Sequence, residues 1–155
     1  MEQQQMDCWC WAAVTLSVCT ILQDNNYTTQ PQIVALVTGN ALCDMGVLLP
    51  ECDVPKTLQT ALTAVNHFGQ SYNALKPDEL LNAQPGTNPV ACDMNLAGDI
   101  WHAVLIVGAY SLNDGSVMVQ VADPADGSTT NIPYNDFRYN FYGNGGTWTN
   151  AYTTQ

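Results

Sequence analysis

The chain is 155 residues long, 46% apolar and only 11% charged, a composition that suits one compact domain with a core of its own. Three Lys and Arg against 14 Asp and Glu leave a net charge of −11, which repels phosphate backbones and anionic lipid and excludes nucleic acid and membrane surfaces as expected partners. No apolar run reaches the roughly 20 residues that cross a bilayer.

The predicted elements begin with helices. Residues 10–23, CWAAVTLSVCTILQ, are apolar nearly all the way round, the mark of a helix buried on most faces. Pro31 opens a second helix, PQIVALV, which Gly39 closes. Residues 54–69, VPKTLQTALTAVNHFG, repeat the pattern, with Pro55 early, Leu58, Leu62 and Val65 along the body and Gly69 past the end. KPDELLNA at 76–83 reads as a short fourth helix, stopped by Pro85-Gly86. From residue 88 the pattern turns to strands. WHAVLIVGAY and SVMVQVAD flank LNDG, a strong hairpin signal. TTNIPY and GTWTNAYTT are further strand candidates, with NDFRYNF a short helix between them. This order predicts a single α+β domain over 1–155, with a helical half at 1–87 and an antiparallel-sheet half at 88–155.

Six cysteines with so few lysines point to an exported protein, with a leader or pro-segment expected to have preceded Met1. Cys43 and Cys52 flank a short loop and are the expected disulfide. Cys8 either pairs with Cys92 or stays free, and Cys19, in an apolar helical stretch, reads as a buried thiol. Asn26-Tyr27-Thr28 is a lone glycosylation sequon, a weak signal.

One thiol is placed for chemistry. A nucleophilic cysteine needs a stabilised thiolate, a nearby base and a group that orients the base. Cys10 stands at the first turn of the first helix, where the dipole and unpaired N–H groups favour a negative charge, whereas Cys8 lies outside it. Of the two histidines, His67 reads as a helix-end residue facing the negative pole. His102 leads the apolar strand HAVLIVG and is either a satisfied core residue or the base. If that strand turns at Asn113-Asp114-Gly115, its return brings Asp123 near His102. On spacing alone Asp123 serves equally as a turn residue or as the group that orients the imidazole.

The motifs around these residues resemble those of papain-like cysteine peptidases. Gln4, five residues, then Cys10-Trp11-Ala12-Ala13 is similar to the family's active-site segment, and the run from His102 to Gly108, HAVLIVG, is similar to its histidine strand. Val121-Ala122-Asp123-Pro124 resembles the third-residue segment of the compact bacterial branches, which include plant-pathogen effector proteases and bacteriocin-leader peptidases. The helix QPQIVALV resembles the effector-protease-like branch. The motifs stand in the family's order and cover most of the chain.

The resemblance implies a papain-like fold with the nucleophile on a central helix, and cysteine-dependent hydrolysis of a peptide bond in a polypeptide substrate. Cys10 is then the nucleophile, and His102 the base and later the acid. Asp123 orients His102 where papain uses asparagine. Gln4 and the Cys10 backbone N–H form the oxyanion hole, each donor typically worth about 3–4 kcal/mol. No cofactor or metal is implied; an inhibitor or pro-segment is a possible further partner. The implied setting is a secreted protease or a toxin-like effector. This sequence departs from the family pattern in Trp101, where a small or polar residue is common, in the missing Asn-Ser-Trp segment that shields the third residue, and in Cys8 so close to the nucleophile.

The same machinery also runs deamidation and acyl transfer. A second class, redox or metal binding through Cys8-x-Cys10 with His102, meets the objection that soft metal sites usually need four ligands and that exchange motifs usually leave two residues between the cysteines. A third is an inactive papain-like binding domain.

Overall fold

The computed structural model describes residues 1–98 and 100–155. Helix α1 spans Cys10–Ile21 and is buried along most of its length, from Trp11 to Leu16 and again at Val18 and Cys19. Its hydroxyls are neutralised within the helix: Thr15 donates to Trp11 O at 2.8 Å and Ser17 to Ala13 O at 2.8 Å, so polar side chains can sit in an apolar setting. α1 ends where Gln23 turns left-handed, with φ of 60°.

Helix α2 spans Gln30–Thr38. Thr29 and Gln32 cap each other's backbone N–H, Pro31 sits in the first turn, and Gly39 at φ 70° closes the helix in the left-handed region that glycine adopts without cost. Two short 3-10 turns follow, at Ala41–Asp44 and Pro50–Cys52, joined by the Cys43–Cys52 disulfide.

The third helix differs from expectation. α3 covers only Leu58–Ala64, and Asn66 at φ 61° ends it before His67. Phe68–Asn73 is instead a strand, β1, at the sheet edge. Gly69 is therefore not a residue beyond a helix end. A Cβ there would fall 2.7 Å from Thr153 Oγ1 and 2.9 Å from Thr153 O, so glycine is required by the close approach of the neighbouring strand. Helix propensity in this segment yields to a backbone ladder that lies far away in sequence.

Helix α4 is Pro77–Ala83, and strands β2 (Val90–Leu96), β3 (Ile100–Ser111), β4 (Val117–Ala122) and β5 (Thr129–Pro133) follow. α5 (Tyr134–Tyr139) and β6 (Thr147–Thr154) complete the chain. β2 falls where the pattern turns to strands, in a stretch that is not among the named strand candidates. The six strands form one antiparallel sheet in the order β1-β6-β2-β3-β4-β5, so the last strand inserts between the first and second. The architecture is α+β.

Alternation along the sheet divides the core in two. Ala91, Ala103, Leu105 and Tyr152 pack with α1, α2 and α3 on one face. Cys92, Met94, Val104, Ile106 and Trp148 pack with Phe137 and Phe141 on the other. The β3 residues 103–106 thus serve both cores in turn, as the period of two requires. No helix among the described residues is long and apolar enough to cross a membrane.

Candidate active site

Cys10 is held by its neighbours rather than by a side-chain cap. The Trp9 indole N–H donates to Cys52 O at 2.8 Å, the Trp11 indole N–H donates to Val54 O at 3.0 Å, and the Cys8 backbone N–H donates to Asp53 Oδ1 at 2.8 Å. Three hydrogen bonds thus bind the start of α1 to residues 52–54, and both indoles are buried. The Cys43–Cys52 bridge anchors that segment and has both ends buried. Closing so short a loop contributes roughly 2–3 kcal/mol in the chain-entropy account. The expected disulfide therefore also supports the Cys10 platform.

The first turn of β3 carries His102, and the end of β4 leads into Asp123. The hairpin register pairs Leu105 with Ala122, which brings the two side chains together. His102 Nε2 lies 2.8 Å from Asp123 Oδ1. That leaves the other ring nitrogen for the Cys10 side, and Cys10 lies near enough to act on the ring. Burial alone would push the imidazole pKa down. The bond to Asp123 and the nearness of Cys10 outweigh it and raise the imidazole to about 9. Burial likewise works against the Asp123 carboxylate, yet bonds from His102, Tyr142 and the Ala125 N–H hold it below its ordinary value. The ADPADG segment is a turn as well: Gly127 N–H donates to Asp123 O at 2.9 Å. The turn and the carboxylate that meets His102 are one structure.

Tyr142 does not stand out in the sequence as a site residue. Its hydroxyl donates to Asp123 Oδ2, and its ring stands 6.3 Å from the His102 ring. Burial and the bond to Asp123 push its phenol well above the ordinary value, so it stays a donor. Phe141, buried, stacks against it at 4.3 Å between ring centroids. Tyr142 covers the acid in a chain that lacks the expected Asn-Ser-Trp shield. The only sequence hint is an aromatic pair before the glycine-rich turn YGNGG.

Gln4 lies on the opposite wall. The segment that carries it is fixed from two sides. Gln4 N–H donates to Pro124 O at 2.8 Å, and the Gln3 amide donates to Ala125 O at 2.9 Å, so it is tied to the Asp123 turn. The wholly buried Gln30 of α2 donates to Gln3 O at 2.8 Å and accepts from Gln5 N–H at 3.0 Å. Gln30 is a second residue that the sequence does not single out, since an isolated glutamine at a helix start carries no signal of burial. The Gln4 amide Nε2 donates to Met6 O at 3.0 Å and Asp7 O at 2.7 Å, and its Oε1 is buried without a partner.

Two clefts meet at His102. One, of about 290 Å³, is lined by Gln3, Gln4, Gln5, Met6, Asp7 and Ala125 together with His102. The other, of about 240 Å³, is lined by Cys10, Trp11, Leu58, Asp93 and Trp101 with His102. Trp101 is 60% exposed and walls the Cys10 side. A larger cavity, about 530 Å³, lies elsewhere, between α1 and the β3–β4 hairpin, and is lined by neither Cys10 nor His102.

Cys8 is a free thiol and does not pair with Cys92. Cys92 is fully buried in the core on the far face of the sheet from α1, out of reach of Cys8. Burial, then the negative groups Asp53, Cys10 and Asp7, push the Cys8 thiol up, so it is a poorer nucleophile than its position suggests. Cys19 is buried, as expected.

The family model described as papain-like cysteine protease AvrRpt2 matches residues 1–141. No curated protein matches the chain. Among solved structures, the cysteine protease Amb a 11, a major ragweed pollen allergen, in its proform is similar at 16% identity with a TM-score of 0.48. That likeness covers 99% of this chain and 61% of the other, so this chain spans less than two thirds of that protein's length. Because the family model runs from the Gln4 segment through the Asp123 turn and covers most of the residues, this chain belongs to the family of papain-like cysteine proteases described by AvrRpt2.

Proposed function

We propose that the protein hydrolyses peptide bonds of polypeptide substrates with Cys10 as nucleophile, His102 as general base and acid, Asp123 as the group that orients His102, and Gln4 as an oxyanion donor. The observation that carries this reading is the imidazole held between Cys10 and Asp123. With its pKa raised to about 9, His102 is protonated at neutral pH and stands beside the Cys10 sulfur.

The thiolate attacks the substrate carbonyl carbon, and the carbonyl electron pair moves to oxygen. That oxyanion is received by the Cys10 backbone N–H at the start of α1 and by the Gln4 amide. Both Gln4 amide hydrogens rest on neutral backbone carbonyls, Met6 O and Asp7 O, and an anionic oxygen is the stronger acceptor. Gln4 therefore gives up one of those bonds as charge develops. The imidazolium donates its proton to the leaving amine. His102, now neutral, takes a proton from water, whose oxygen attacks the thioester and releases the acid and the thiol. Asp123 stays ionised throughout and keeps the ring in register, with Tyr142 saturating its second oxygen.

The same reading sets the protein outside the reducing cytosol. The Cys43–Cys52 bridge supports this, because such a bond persists in oxidising compartments.

The test is thiol labelling joined to proteolysis. A thiol-directed reagent is expected to modify Cys10 faster than Cys8 and to slow sharply in His102→Ala, while cleavage of an unfolded polypeptide disappears in Cys10→Ala. Equal labelling of wild type and His102→Ala, with no cleavage by either, would overturn the proposal.

A further inference from the structure

A second set of chemically capable side chains meets at the other end of α1. Cys19 lies in the last turn of that helix. Asp24 follows the left-handed Gln23 that ends it, with its N–H donating to Cys19 O at 2.9 Å. His67 stands in the link between α3 and β1. A ligand atom from each, the sulfur, a carboxylate oxygen and a ring nitrogen, lies within 4.8 Å of the other two. Nine residue steps of helix carry the chain from Cys10 to Cys19, about 13 Å along the axis, so this set is distinct from the cleft.

The hydrogen bonding of His67 is the telling feature. Its Nδ1 is 2.8 Å from Gln155 O, an acceptor only, so Nδ1 carries a hydrogen. Its Nε2 faces Asp24 Oδ2 at 3.1 Å. In the neutral ring that places a lone pair against a carboxylate oxygen. A positive centre belongs between them, either a proton or a metal ion. A ring held through its far N–H by a backbone carbonyl is the usual outer-shell arrangement of a histidine that ligates a metal.

Cys19 decides between the two. An ion pair between His67 and Asp24 makes no use of a sulfur beneath it. A metal does. Coordination displaces the thiol proton, so the sulfur joins the carboxylate oxygen and the ring nitrogen as a third donor. Donors about 2.0–2.3 Å from a tetrahedral ion stand roughly 3.3–3.8 Å apart, so the trio needs only a small contraction. One nitrogen, one oxygen and one sulfur suit a borderline-soft ion and not calcium or magnesium. The His67 and Asp24 side chains are 15% and 14% exposed, which leaves an entry path and room for water as the fourth ligand above the fully buried sulfur.

We propose that Cys19, Asp24 and His67 form a binding site for one divalent transition-metal ion of the zinc class, which ties the end of α1 to the α3–β1 link. Through the Gln155 carbonyl on Nδ1, the same ion braces the residue that follows β6. The site is structural and goes beyond the hydrolytic reading.

Cobalt(II) and zinc titrations of the full chain carrying Cys10→Ala test it, since that change removes the competing sulfur beside His102. The expected result is one equivalent of cobalt per chain with a thiolate-to-cobalt charge-transfer band. Zinc at about 100 times its Kd should raise Tm by roughly 5–10 °C. Adding Cys19→Ser or His67→Ala should abolish both. Cys19 is fully buried and its replacement is able to unfold the chain on its own account, so His67→Ala, at a partly exposed position, is the deciding variant. No band in excess cobalt, a band that survives His67→Ala, or a Tm that zinc leaves unmoved would overturn the proposal and leave a simple ion pair.

Discussion

The two ends of helix α1 carry the same three side-chain types in different settings. At its start Cys10 stands beside His102 and Asp123; near its end Cys19 stands beside His67 and Asp24. Both histidines reach their aspartate through Nε2, at 2.8 Å and 3.1 Å. The difference lies in what each second nitrogen and each sulfur meets. The second nitrogen of His102 is left to the Cys10 thiol, while that of His67 is taken by Gln155 O. Cys10 is partly exposed at the positive pole of the helix, whereas Cys19 is sealed at the negative pole and its thiol is pushed up to about 12. A Cys, a His and an Asp in contact do not make a nucleophile. Helix polarity, access and a free ring nitrogen are what set the proposed nucleophile, Cys10, apart from Cys19.

The largest effect expected is a split between the two sulfurs. Cys10→Ala should lower the rate of peptide hydrolysis by about 10⁵–10⁶-fold, with its stability close to wild type. Cys19→Ala acts through folding and should be read in the melting curve, at a cost on the order of 1–2 kcal/mol for the cavity it leaves. A Cys10→Ala chain that still turned over at the wild-type rate would erase the distinction between the two helix ends.

The imidazoles give the next contrast, in pH. His102 is raised above its unfolded value of about 6.5 to about 9, so its contribution to stability is complete below about 6.5 and is lost as pH rises through about 9. The imidazolium is lost over the same interval, so kcat/KM should fall on its alkaline side near pH 9. Asp123→Asn removes the charge and should draw that limb toward neutral pH while lowering the rate about 10–100-fold. An alkaline limb that stayed in place would show that Asp123 does not set the ring's charge.

Opening the disulfide probes the same contrast from the side of the scaffold. Cys43→Ser with Cys52→Ser should cost roughly 2–3 kcal/mol in denaturant melts. It should also cost activity under conditions where the chain remains folded, because Trp9, Trp11 and the Cys8 backbone all depend on residues 52–54. The smallest effect is expected from Tyr142→Phe. The ring stays on Phe141 and only the hydroxyl bond to Asp123 is lost, for a rate loss of about 3–10-fold with no change in Tm beyond about 1–2 °C.

The features legible in the amino-acid order are those that depend on near neighbours. The apolar run from Cys10 to Ile21 reads as a buried helix, Pro31 and Gly39 mark the bounds of α2, and the LNDG turn marks the β3–β4 hairpin, whose register shifts once between Ile106 and Gly108 before it reaches His102 and Asp123. The short Cys43–Cys52 spacing belongs with these. Propensity, capping and turn chemistry act over a few residues and are written in them. It took the closed fold to settle that β6 enters the sheet between β1 and β2, that Phe68–Asn73 is a strand, that Tyr142 covers Asp123 and that Gln30 holds the Gln4 segment. Each of these joins residues far apart in the chain. Their partners are chosen by which faces remain to be buried and which backbone groups remain to be paired once the whole chain has closed, and no local pattern carries that choice.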